Sequence, residues 1–491
     1  MKIYNLINLL SYAPRKYACR ALSSIHMCIE RPNTAEIRLF RLFKVLLLVA
    51  VLSIYPIISG AFAEDPSCMA PVVDIKTGAF HTIALAEDGT VWAWGSKNNG
   101  ACGVEDKGLH FQLRPNKISG LHNITAIDTH DSVSVALDND GSVWIWGSTA
   151  LMSFNSTDNV YGSHIPVRVP GIDDAIGIAC GDNYVMVLKK DGTVKAWGNN
   201  ECGNLGDGLP VTQSSMFKSL PGQVSGLSDV KEIYCTGSNS LALKNDGTVW
   251  AWGRKSNLLG NWSSGETKYY VSSPVRVEGV DNVASLSAGE EHIVLIKNDG
   301  TVWALGDNEK GKLGIGPRSS YTLTPVCIMD LHNIVAVDAG QYHSIVLDKD
   351  GNVYTWGWND LGQIGNGEKG EATIPYKVPG IIAKSIFAGG SQTFIIDAGG
   401  DIWAWGYDES GQLGDGHYGS KLTRRSPVKL SFDNPAIDVL PTPDSPATNT
   451  TDPGPSTGVE SPGFTFGNIM TAMLTLVIVS CLYYFRKDRV K

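Results

Sequence analysis

Three histidines recur in one motif, Gly-x-x-His, and their side chains are the first candidates for chemistry in this sequence. They are His81, His292 and His343. Because neutral imidazole binds zinc and other transition metals, three such residues could form a metal centre if the fold brought them together. Each histidine, however, begins a short apolar run, and Tyr184 and Gln392 occupy the matching position elsewhere. We therefore expect each histidine to hydrogen-bond a neighbouring strand, and we predict no metal and no cofactor.

Paired carboxylates are the second candidates, because Asp-x-Asp-Gly can begin a calcium-binding loop. The pattern occurs at Asp138-x-Asp140 and at Asp348-x-Asp350. Neither segment continues with the later Asp, Asn and Glu ligands, so both are expected to be hairpin turns. The chain also has no Gly-x-Ser-x-Gly, no His-Glu-x-x-His and no phosphate-cradling loop. We predict no catalytic residues and a protein that is not an enzyme.

Eleven of the 13 tryptophans lie in seven copies of one segment, which in its first copy is Asp88-Gly89-Thr90-Val91-Trp92-Ala93-Trp94-Gly95. The other copies begin at Asp140, Asp191, Asp246, Asp299, Asp350 and Gly399, and successive closing glycines are 49 to 55 residues apart. A proline recurs with the same period, at Pro115, Pro166, Pro221, Pro274, Pro325, Pro375 and Pro427. Tryptophans can stack on sugar rings, but tryptophans that recur at fixed positions are expected to form the core between repeats.

Each copy predicts a β-hairpin, because Asp-Gly between two apolar runs is typical of a type I′ turn. Runs such as Ile124–Asp128 and Pro274–Val277 supply further strands, which gives four short strands per repeat. Helical periodicity is almost absent between residues 64 and 432. Arrays of four-stranded units with this period close into a ring. The predicted fold class is therefore all-β, a seven-bladed β-propeller of four-stranded blades over residues 72–432.

The motif Trp-Gly-x-Asn-x-x-Gly-x-Leu-Gly-x-Gly extends several copies of the segment. It occupies Trp197–Gly208, with close variants at Trp356–Gly367 and Trp405–Gly416. Together with Gly-x-x-His and Asp-Gly, it resembles the repeat of the regulator of chromosome condensation family. Blades two and four depart from the motif after Gly147 and Gly253. The resemblance implies the propeller fold, but members of the family include a nucleotide-exchange factor for a nuclear GTPase, modules of ubiquitin ligases and a secreted β-lactamase inhibitor. It therefore implies no single function, and we transfer no functional residues from it.

The N-terminal region has the composition of a secretory signal peptide. Residues 1–63 carry eight Lys and Arg against two Glu, and the apolar run Val45–Ile58 is followed by Ala61-Phe62-Ala63. A basic flank, a short apolar run and small residues at the cleavage site are typical of such a peptide. We predict cleavage before Glu64, with residues 64–71 as a short leader; an uncleaved anchor is the alternative.

The C-terminal region predicts a stalk and a membrane anchor. Residues 433–462 are rich in Pro, Thr and Ser and acidic, so they cannot form a core. In residues 463–491 the apolar run Ile469–Phe485 precedes a basic end, as in a transmembrane helix with its end in the cytoplasm. The preceding Pro462-Gly463-Phe464 resembles the archaeal PGF sorting signal, which implies replacement of the helix by a lipid. A retained helix is the alternative, and both place the propeller at the cell surface.

The charge of the exported part bears on its partners. Residues 64–462 contain 28 basic and 46 acidic residues. Such a body repels phosphate backbones, so we expect no nucleic-acid partner. Export also leads us to expect no small GTPase partner. Cys180 and Cys235 occupy matching positions in adjacent blades, which leaves a disulfide between them open.

The variable segments between each Trp-Gly and the next proline should emerge at the rim of the propeller. They carry aromatic residues that the repeat does not require, and such residues often anchor interfaces. We predict binding by Phe154, Tyr161, Phe217, Trp262, Tyr269, Tyr270, Trp358, His417 and Tyr418. Sequons for N-glycosylation begin at Asn123, Asn155, Asn261 and Asn449.

The predicted function is that of a non-catalytic cell-surface recognition module that binds an extracellular protein or glycan through its rim loops. Two alternatives remain open. An extracellular glycan-cleaving enzyme would bring acidic side chains together at one mouth of the central channel. A tethered inhibitor of a secreted enzyme would use the same rim.

Overall fold

The computed structural model describes residues 69–104, 110–148, 163–255, 269–317, 319–420 and 422–431. The chain divides into two compact units, Met1–Ala436 and Ile437–Lys491, and all described residues belong to the first. The predicted signal peptide, stalk and anchor lie outside the described residues. Within the described part, no helix has the length and apolar character needed to cross a membrane.

The described residues form 28 strands. Blades one to four consist of β1 (Val72–Thr77), β2 (His81–Ala86), β3 (Val91–Ser96) and β4 (Phe111–Lys117); β5 (Ile124–His130), β6 (Val133–Asp138), β7 (Val143–Gly147) and β8 (Ser163–Arg168); β9 (Ala175–Gly181), β10 (Tyr184–Lys189), β11 (Val194–Asn199) and β12 (Phe217–Gln223); β13 (Val230–Thr236), β14 (Asn239–Lys244), β15 (Val249–Arg254) and β16 (Tyr270–Arg276). Blades five to seven consist of β17 (Val283–Ala288), β18 (His292–Lys297), β19 (Val302–Asp307) and β20 (Tyr321–Cys327); β21 (Ile334–Ala339), β22 (His343–Asp348), β23 (Val353–Gly357) and β24 (Ala372–Lys377); β25 (Ala383–Gly389), β26 (Gln392–Asp397), β27 (Ile402–Tyr407) and β28 (Thr423–Lys429).

Each blade is an antiparallel sheet of four consecutive strands, and there are seven such sheets. The predicted all-β propeller of seven four-stranded blades is therefore confirmed. Because every sheet is built from consecutive strands, no strand of the described residues is exchanged between the first and the last blade. The ring must close through contacts between blades.

Burial within a blade follows strand order. Every residue of β2 and β3 is buried, as expected for strands with apolar neighbours on both faces. The fourth strand is the outer edge, and β4 has no fully buried residue. Pro115 lies in this edge strand next to a register shift, which is where a residue without an amide hydrogen is tolerated. The recurrent prolines thus mark the edge of each blade.

The Asp-Gly hairpins differ from the predicted turn type. Gly89 has φ of 77°, whereas Asp88 does not have positive φ, which a type I′ turn would require. Gly89 N donates to Ala86 O at 3.0 Å, and Ala86 N donates to Thr90 O at 2.9 Å. The loop therefore has three residues, a type I turn followed by a left-handed glycine. The type I′ prediction was wrong because the residue before Asp88 belongs to the turn and not to the strand.

The second tryptophan of each motif is core, as predicted, and its indole links two blades. Trp356 is fully buried, and its Nε1 donates to Lys312 O in the preceding blade at 2.8 Å. The same bond joins Trp146 to Ala101, Trp252 to Asn204, Trp405 to Gln363 and Trp94 to Gln412. The acceptors lie just before the Leu-Gly of the motif. A Cβ at Gly314 would lie 2.8 Å from the Trp356 Nε1, which explains why glycine follows the acceptor.

Blades two and four depart from the Leu-Gly motif, and in the blades that follow them the tryptophan bond between blades is not found among the described residues. Trp197 Nε1 finds no acceptor among the described residues, and the corresponding segment of blade two falls in 149–162, outside them. In blade five, Leu305 stands where the other blades have the tryptophan. The loop of one blade and the tryptophan of the next therefore depend on each other.

The recurrent histidines hydrogen-bond the neighbouring blade, as predicted. His81 Nε2 lies 2.8 Å from Ser134 Oγ, and His343 Nε2 lies 2.9 Å from Thr393 Oγ1. His292 makes the same contact with Ser344. Burial lowers the pKa of His81 to about 4 and that of His343 to about 3, so these rings are neutral. Among the residues that the structure describes, no group of side chains could hold a metal ion.

The two Asp-x-Asp segments are hairpin turns, as expected. Asp138 Oδ1 accepts from the amides of Asp140 and Ser142, and its Oδ2 accepts from Trp144 Nε1. Asp348 accepts the corresponding amide bonds in blade six. Both carboxylates are therefore used by their own turns.

Candidate functional site

The strand directions separate the loops onto two faces of the propeller. The first strand of each blade ends where the second begins, and the third ends where the fourth begins, so these two connections share one face. It carries the short Gly-x-x turns around the channel and the long variable segments between the third and fourth strands. We call it the loop face. The opposite face carries the Asp-Gly hairpins and the connections between blades.

A cavity of about 560 Å³ follows the central channel between the innermost strands. At the loop face, backbone bonds join the turns of neighbouring blades around its mouth. Glu290 N donates to Gln341 O at 3.3 Å, and Gln341 N donates to Gly390 O at 2.9 Å. Asp131 and Asp182 occupy the same turn position in blades two and three. The mouth therefore combines backbone bonds between several neighbouring turns with several acidic side chains.

Two aspartates deeper in the channel connect adjacent blades. Asp128 Oδ2 accepts from Cys180 N at 2.7 Å, and Asp338 Oδ2 accepts from Ala388 N at 2.8 Å. In both cases the donor belongs to the first strand of the next blade, whose inner edge has no further strand to pair with. Burial raises the pKa of Asp128 to about 6. The two carboxylates therefore accept hydrogen bonds from backbone amides that have no neighbouring strand to bond.

The channel also holds one lysine. Asp74 raises the pKa of Lys76 more than any other group does, and burial raises the pKa of Asp74. Acidic side chains therefore line the channel, which is the feature expected of the enzyme alternative. Cys180 and Cys235 also line it, and both are free thiols, so the disulfide left open by the sequence is not formed.

Three aromatic pairs lie on the loop face. Tyr342 and Trp358 meet edge to face, with ring centroids 5.5 Å apart. The other pairs are Phe80 with Tyr407 at 6.4 Å and Phe111 with Tyr418 at 5.3 Å. Phe80 is 45% exposed although it belongs to a tight turn. Trp358 and Tyr418 were predicted as contact residues. The other four aromatic residues of these pairs were not, although two of them, Phe80 and Tyr342, directly precede the histidine of Gly-x-x-His.

A buried ion pair supports one of these pairs from below. Lys312 is almost completely buried, and its ammonium group pairs with the Asp307 carboxylate. The same ammonium lies 5.3 Å from the centroid of the Tyr342 ring. Sequence reasoning missed this lysine, because the motif leaves its position free and other blades have Ala, Asn or Gln there.

The remaining predicted contact residues are distributed around the loop face. His417 and Tyr269 are exposed, Phe217 and Tyr270 begin the edge strands of blades three and four, and Tyr270 Oη accepts from Val211 N at 3.1 Å. The described residues thus stand as two adjacent pairs, His417 with Tyr418 and Tyr269 with Tyr270, while Phe217 and Trp358 each lie on a blade of their own. Phe154, Tyr161 and Trp262 lie outside the described residues. Their role in binding stays a prediction for all nine.

Most predicted processing and modification sites cannot be placed. Ala61, Ala63, Pro462, Gly463, Phe464, Asn155, Asn261 and Asn449 lie outside the described residues. Asn123 is exposed in the turn before β5, with φ of 54°. An exposed turn is compatible with glycosylation, which stays a prediction.

Known proteins with similar sequences and structures share the propeller. The ultraviolet-B receptor UVR8 of Arabidopsis thaliana is 27% identical over 317 residues, which cover 62% of this chain and 70% of that protein. The guanine nucleotide exchange factor SRM1 of Saccharomyces cerevisiae is 25% identical over 366 residues, which cover 64% and 75% of the two chains. The crystal structure of Prp20p from the same yeast matches with a TM-score of 0.58 and 24% identity, covering 65% of this chain and 80% of that one.

These relatives contradict the partners that the sequence led us to exclude. SRM1 is by name a guanine nucleotide exchange factor, the class of protein that acts on GTP-binding proteins. Prp20p is described together with its binding to Gsp1p and histones. Our expectation of no small GTPase and no nucleic-acid partner was therefore wrong. It rested on net charge and on a predicted export signal, and neither property of the whole chain decides what one face of a propeller binds.

The family model for the RCC1-like domain matches residues 56–379 and 208–440, which together span most of the chain. The match includes all seven blades. Together with the loop–tryptophan contacts between blades, it leads to one conclusion. The chain belongs to the RCC1-like domain family.

Proposed function

We propose that this propeller is a non-catalytic recognition module that binds another protein through its loop face. The observation that carries the proposal is the position of two aromatic pairs, Tyr342–Trp358 and Phe80–Tyr407, on the loop face. Phe80 is exposed, and the other three side chains are half-buried. Aromatic residues that are rigidly supported and partly exposed are typical interface anchors. The buried Lys312 beneath Tyr342 supplies that support.

The proposed site of action is the cell surface. The basic N-terminal region with its apolar run, and the apolar run Ile469–Phe485 before a basic end, support export and anchoring. The partner is then an extracellular protein, and a secreted enzyme held by a tethered inhibitor would be one such partner. A protease added to intact cells should cleave the full-length chain if the propeller is outside. Protection of the chain until the cells are lysed would contradict the proposed location.

Photo-crosslinking can test the binding face in the full-length protein. A photoreactive amino acid replaces Trp358 on the loop face or, as the control, Asp299 in an exposed hairpin of the opposite face. We expect a specific crosslinked protein from position 358 only, and we expect Tyr342→Ala to abolish it. Crosslinks from position 299 alone, or a product that Tyr342→Ala leaves unchanged, would rule out binding through these aromatics.

A second candidate function, glycan cleavage, is favoured by the acidic lining of the channel. Among the acids below the channel mouth, Asp128 and Asp338 are already occupied by amides of the neighbouring blades, which leaves Asp74; Asp131, Asp182 and Glu290 lie at the mouth itself. The full-length chain and Asp74→Asn should be incubated with an array of surface glycans. Release of sugar by the wild type and not by Asp74→Asn would favour the enzyme over the recognition module.

A further inference from the structure

The variable segment of blade seven replaces a conserved feature of its sister blades with an acid. Blades three, five and six have Asn after the Trp-Gly-x of the motif, and its Oδ1 accepts the amide of the Leu or Ile that follows. Asn359 Oδ1 accepts from Ile364 N at 3.0 Å. In blade seven Asp408 Oδ1 accepts from Leu413 N at the same distance. Oδ1 of Asp408 therefore accepts the same hydrogen bond as the asparagine Oδ1 in the other blades.

The second side-chain atom differs. Asn359 Nδ2 donates to Asn366 Oδ1 at 2.9 Å. In blade seven the corresponding residues are Asp408 and Asp415, so two carboxyl groups face each other where the sister blade has an amide donor and an acceptor. Asp408 is fully buried, and no donor among the described residues reaches its Oδ2. In an ionised carboxylate this buried Oδ2 would carry charge without a hydrogen-bond donor.

The surrounding charges favour ionisation of Asp415 and not of Asp408. Burial opposes the charge of Asp415, but hydrogen bonds from Arg424, in β28, and from the amide of His417 lower its pKa. Burial, followed by the Asp415 charge, raises the pKa of Asp408 to about 8.

Four further charged or titratable groups lie at this loop. The His417 ring contacts Asp415 Oδ1, and the Glu409 carboxylate is bonded to the Tyr407 hydroxyl. Arg114 of blade one lies against Gly416. None of them donates a hydrogen bond to Asp408 Oδ2.

We infer that Asp408 is held as a neutral acid facing the ionised Asp415, and that this single proton locks residues 407–418 on the loop face. The locked segment presents His417 and places Tyr418 against Phe111. When the proton leaves, two buried carboxylates repel each other and the segment loses its fixed position. Binding through this part of the loop face is then switched off as the pH rises. This regulatory role rests on the proposed function, whereas the protonation of Asp408 beside Asp415 does not.

The proton has a defined effect on stability. An unfolded aspartate titrates near 3.8, and Asp408 in the folded protein titrates near 8. Between these values the folded state binds one more proton than the unfolded state. The factor that this residue contributes to the equilibrium constant for folding therefore falls about tenfold for each unit of rising pH. Above the pKa of the folded state this factor is constant.

The variant Asp408→Asn tests this inference, because it restores the amide of the sister blades. In urea unfolding of the full-length chain between pH 5 and 9, the folding constant of Asp408→Asn relative to wild type should rise about tenfold per pH unit to about pH 8 and then level off. The control Asp401→Asn removes an exposed acid from the same blade and should show no such trend. Parallel pH profiles for Asp408→Asn and wild type would overturn the inference.

Two measurements without a partner protein separate this inference from the proposed function. The infrared spectrum of the wild type at pH 7 should contain the carbonyl band of a buried neutral carboxylic acid, and it should vanish at high pH. Hydrogen exchange in residues 409–418, corrected for intrinsic rates, should accelerate above pH 8 in the wild type and not in Asp408→Asn. Absence of the band at pH 7, or unchanged protection across pH 8, contradicts the switch, whereas failure of crosslinking at position 358 contradicts only the binding face.

Discussion

The Trp94 indole Nε1 donates to the carbonyl oxygen of Gln412 at 2.9 Å, although the two residues are 318 positions apart. The bond joins the first blade to the last. It has the same geometry as the bond between Trp356 and Lys312, which are only 44 positions apart. Thr82 Oγ1 donates to the same Gln412 carbonyl at 2.7 Å. The ring is therefore closed by the contact that joins its other blades and not by an exchanged strand.

Trp94→Phe should destabilise the propeller about as much as Trp356→Phe does. Each change removes one buried indole donor and leaves a small cavity, so we expect a loss of about 1–3 kcal/mol in the free energy of unfolding. Urea denaturation of the two variants measures the comparison directly. A large loss for Trp356→Phe with none for Trp94→Phe would show that the seam between blades seven and one is open in solution.

The sequence alone was sufficient to predict the blades, because their determinants are local and repeated. Six of the seven hairpins contain Asp-Gly and the seventh has Gly399-Gly400, and the tryptophans recur at fixed positions in the strand that follows. The contact of His343 with Thr393 was also predictable in kind, since a polar residue that begins a buried strand needs a hydrogen-bond partner in its surroundings. The turn type was not predictable, because two-residue and three-residue hairpin loops both accept Asp-Gly. Only the pairing of Leu85 with Val91 distinguishes the two.

The channel and the aromatic pairs were harder to predict, because they depend on contacts between blades. Asp128 and Asp338 bind backbone amides, which have no signature in the sequence. Phe80 and Tyr407 come from the first and the last blade and meet only after the ring has closed. A comparison of the seven copies does identify such positions as departures from the repeat, as it does for Asp408.

Removal of the Asp338 carboxylate should separate two blades at the channel. Asp338→Ala leaves the amide of Ala388 and the hydroxyl of Ser287 without their acceptor, so we expect a loss of about 2–3 kcal/mol in unfolding free energy. Glu278→Gln removes an exposed acid from the connection before β17 and should change stability by less than about 0.5 kcal/mol. Equal stabilities of the two variants would mean that the channel aspartates do not join the blades.

Acid should destabilise the propeller through its buried histidines. An unfolded histidine titrates near 6.5, and burial lowers the pKa of His343 to about 3, so the folded state binds fewer protons between these values. The contribution of His343 to the free energy of unfolding is complete above pH 6.5. Below that pH it decreases by about 1.4 kcal/mol for each unit of falling pH. His343→Gln, which has the residue that blade seven uses, should reduce this slope between pH 6 and 4. His332→Gln changes an exposed position and should leave the slope unchanged. Equal slopes for the two variants would show that His343 is not buried as a neutral ring.

The ion pair beneath Tyr342 allows the last prediction. Lys312→Met leaves the buried Asp307 carboxylate without its partner, and we expect a loss of about 3–5 kcal/mol in unfolding free energy. The double variant Asp307→Asn with Lys312→Gln has the residue types that blades three and six carry at these positions, Asn199 and Gln363, and removes both charges together. Its stability should lie within about 1 kcal/mol of wild type, because the penalty comes from an unpaired charge and the Lys312 carbonyl still accepts from Trp356. If the double variant were as unstable as Lys312→Met, the lysine would act by packing against Tyr342 and not by neutralising Asp307.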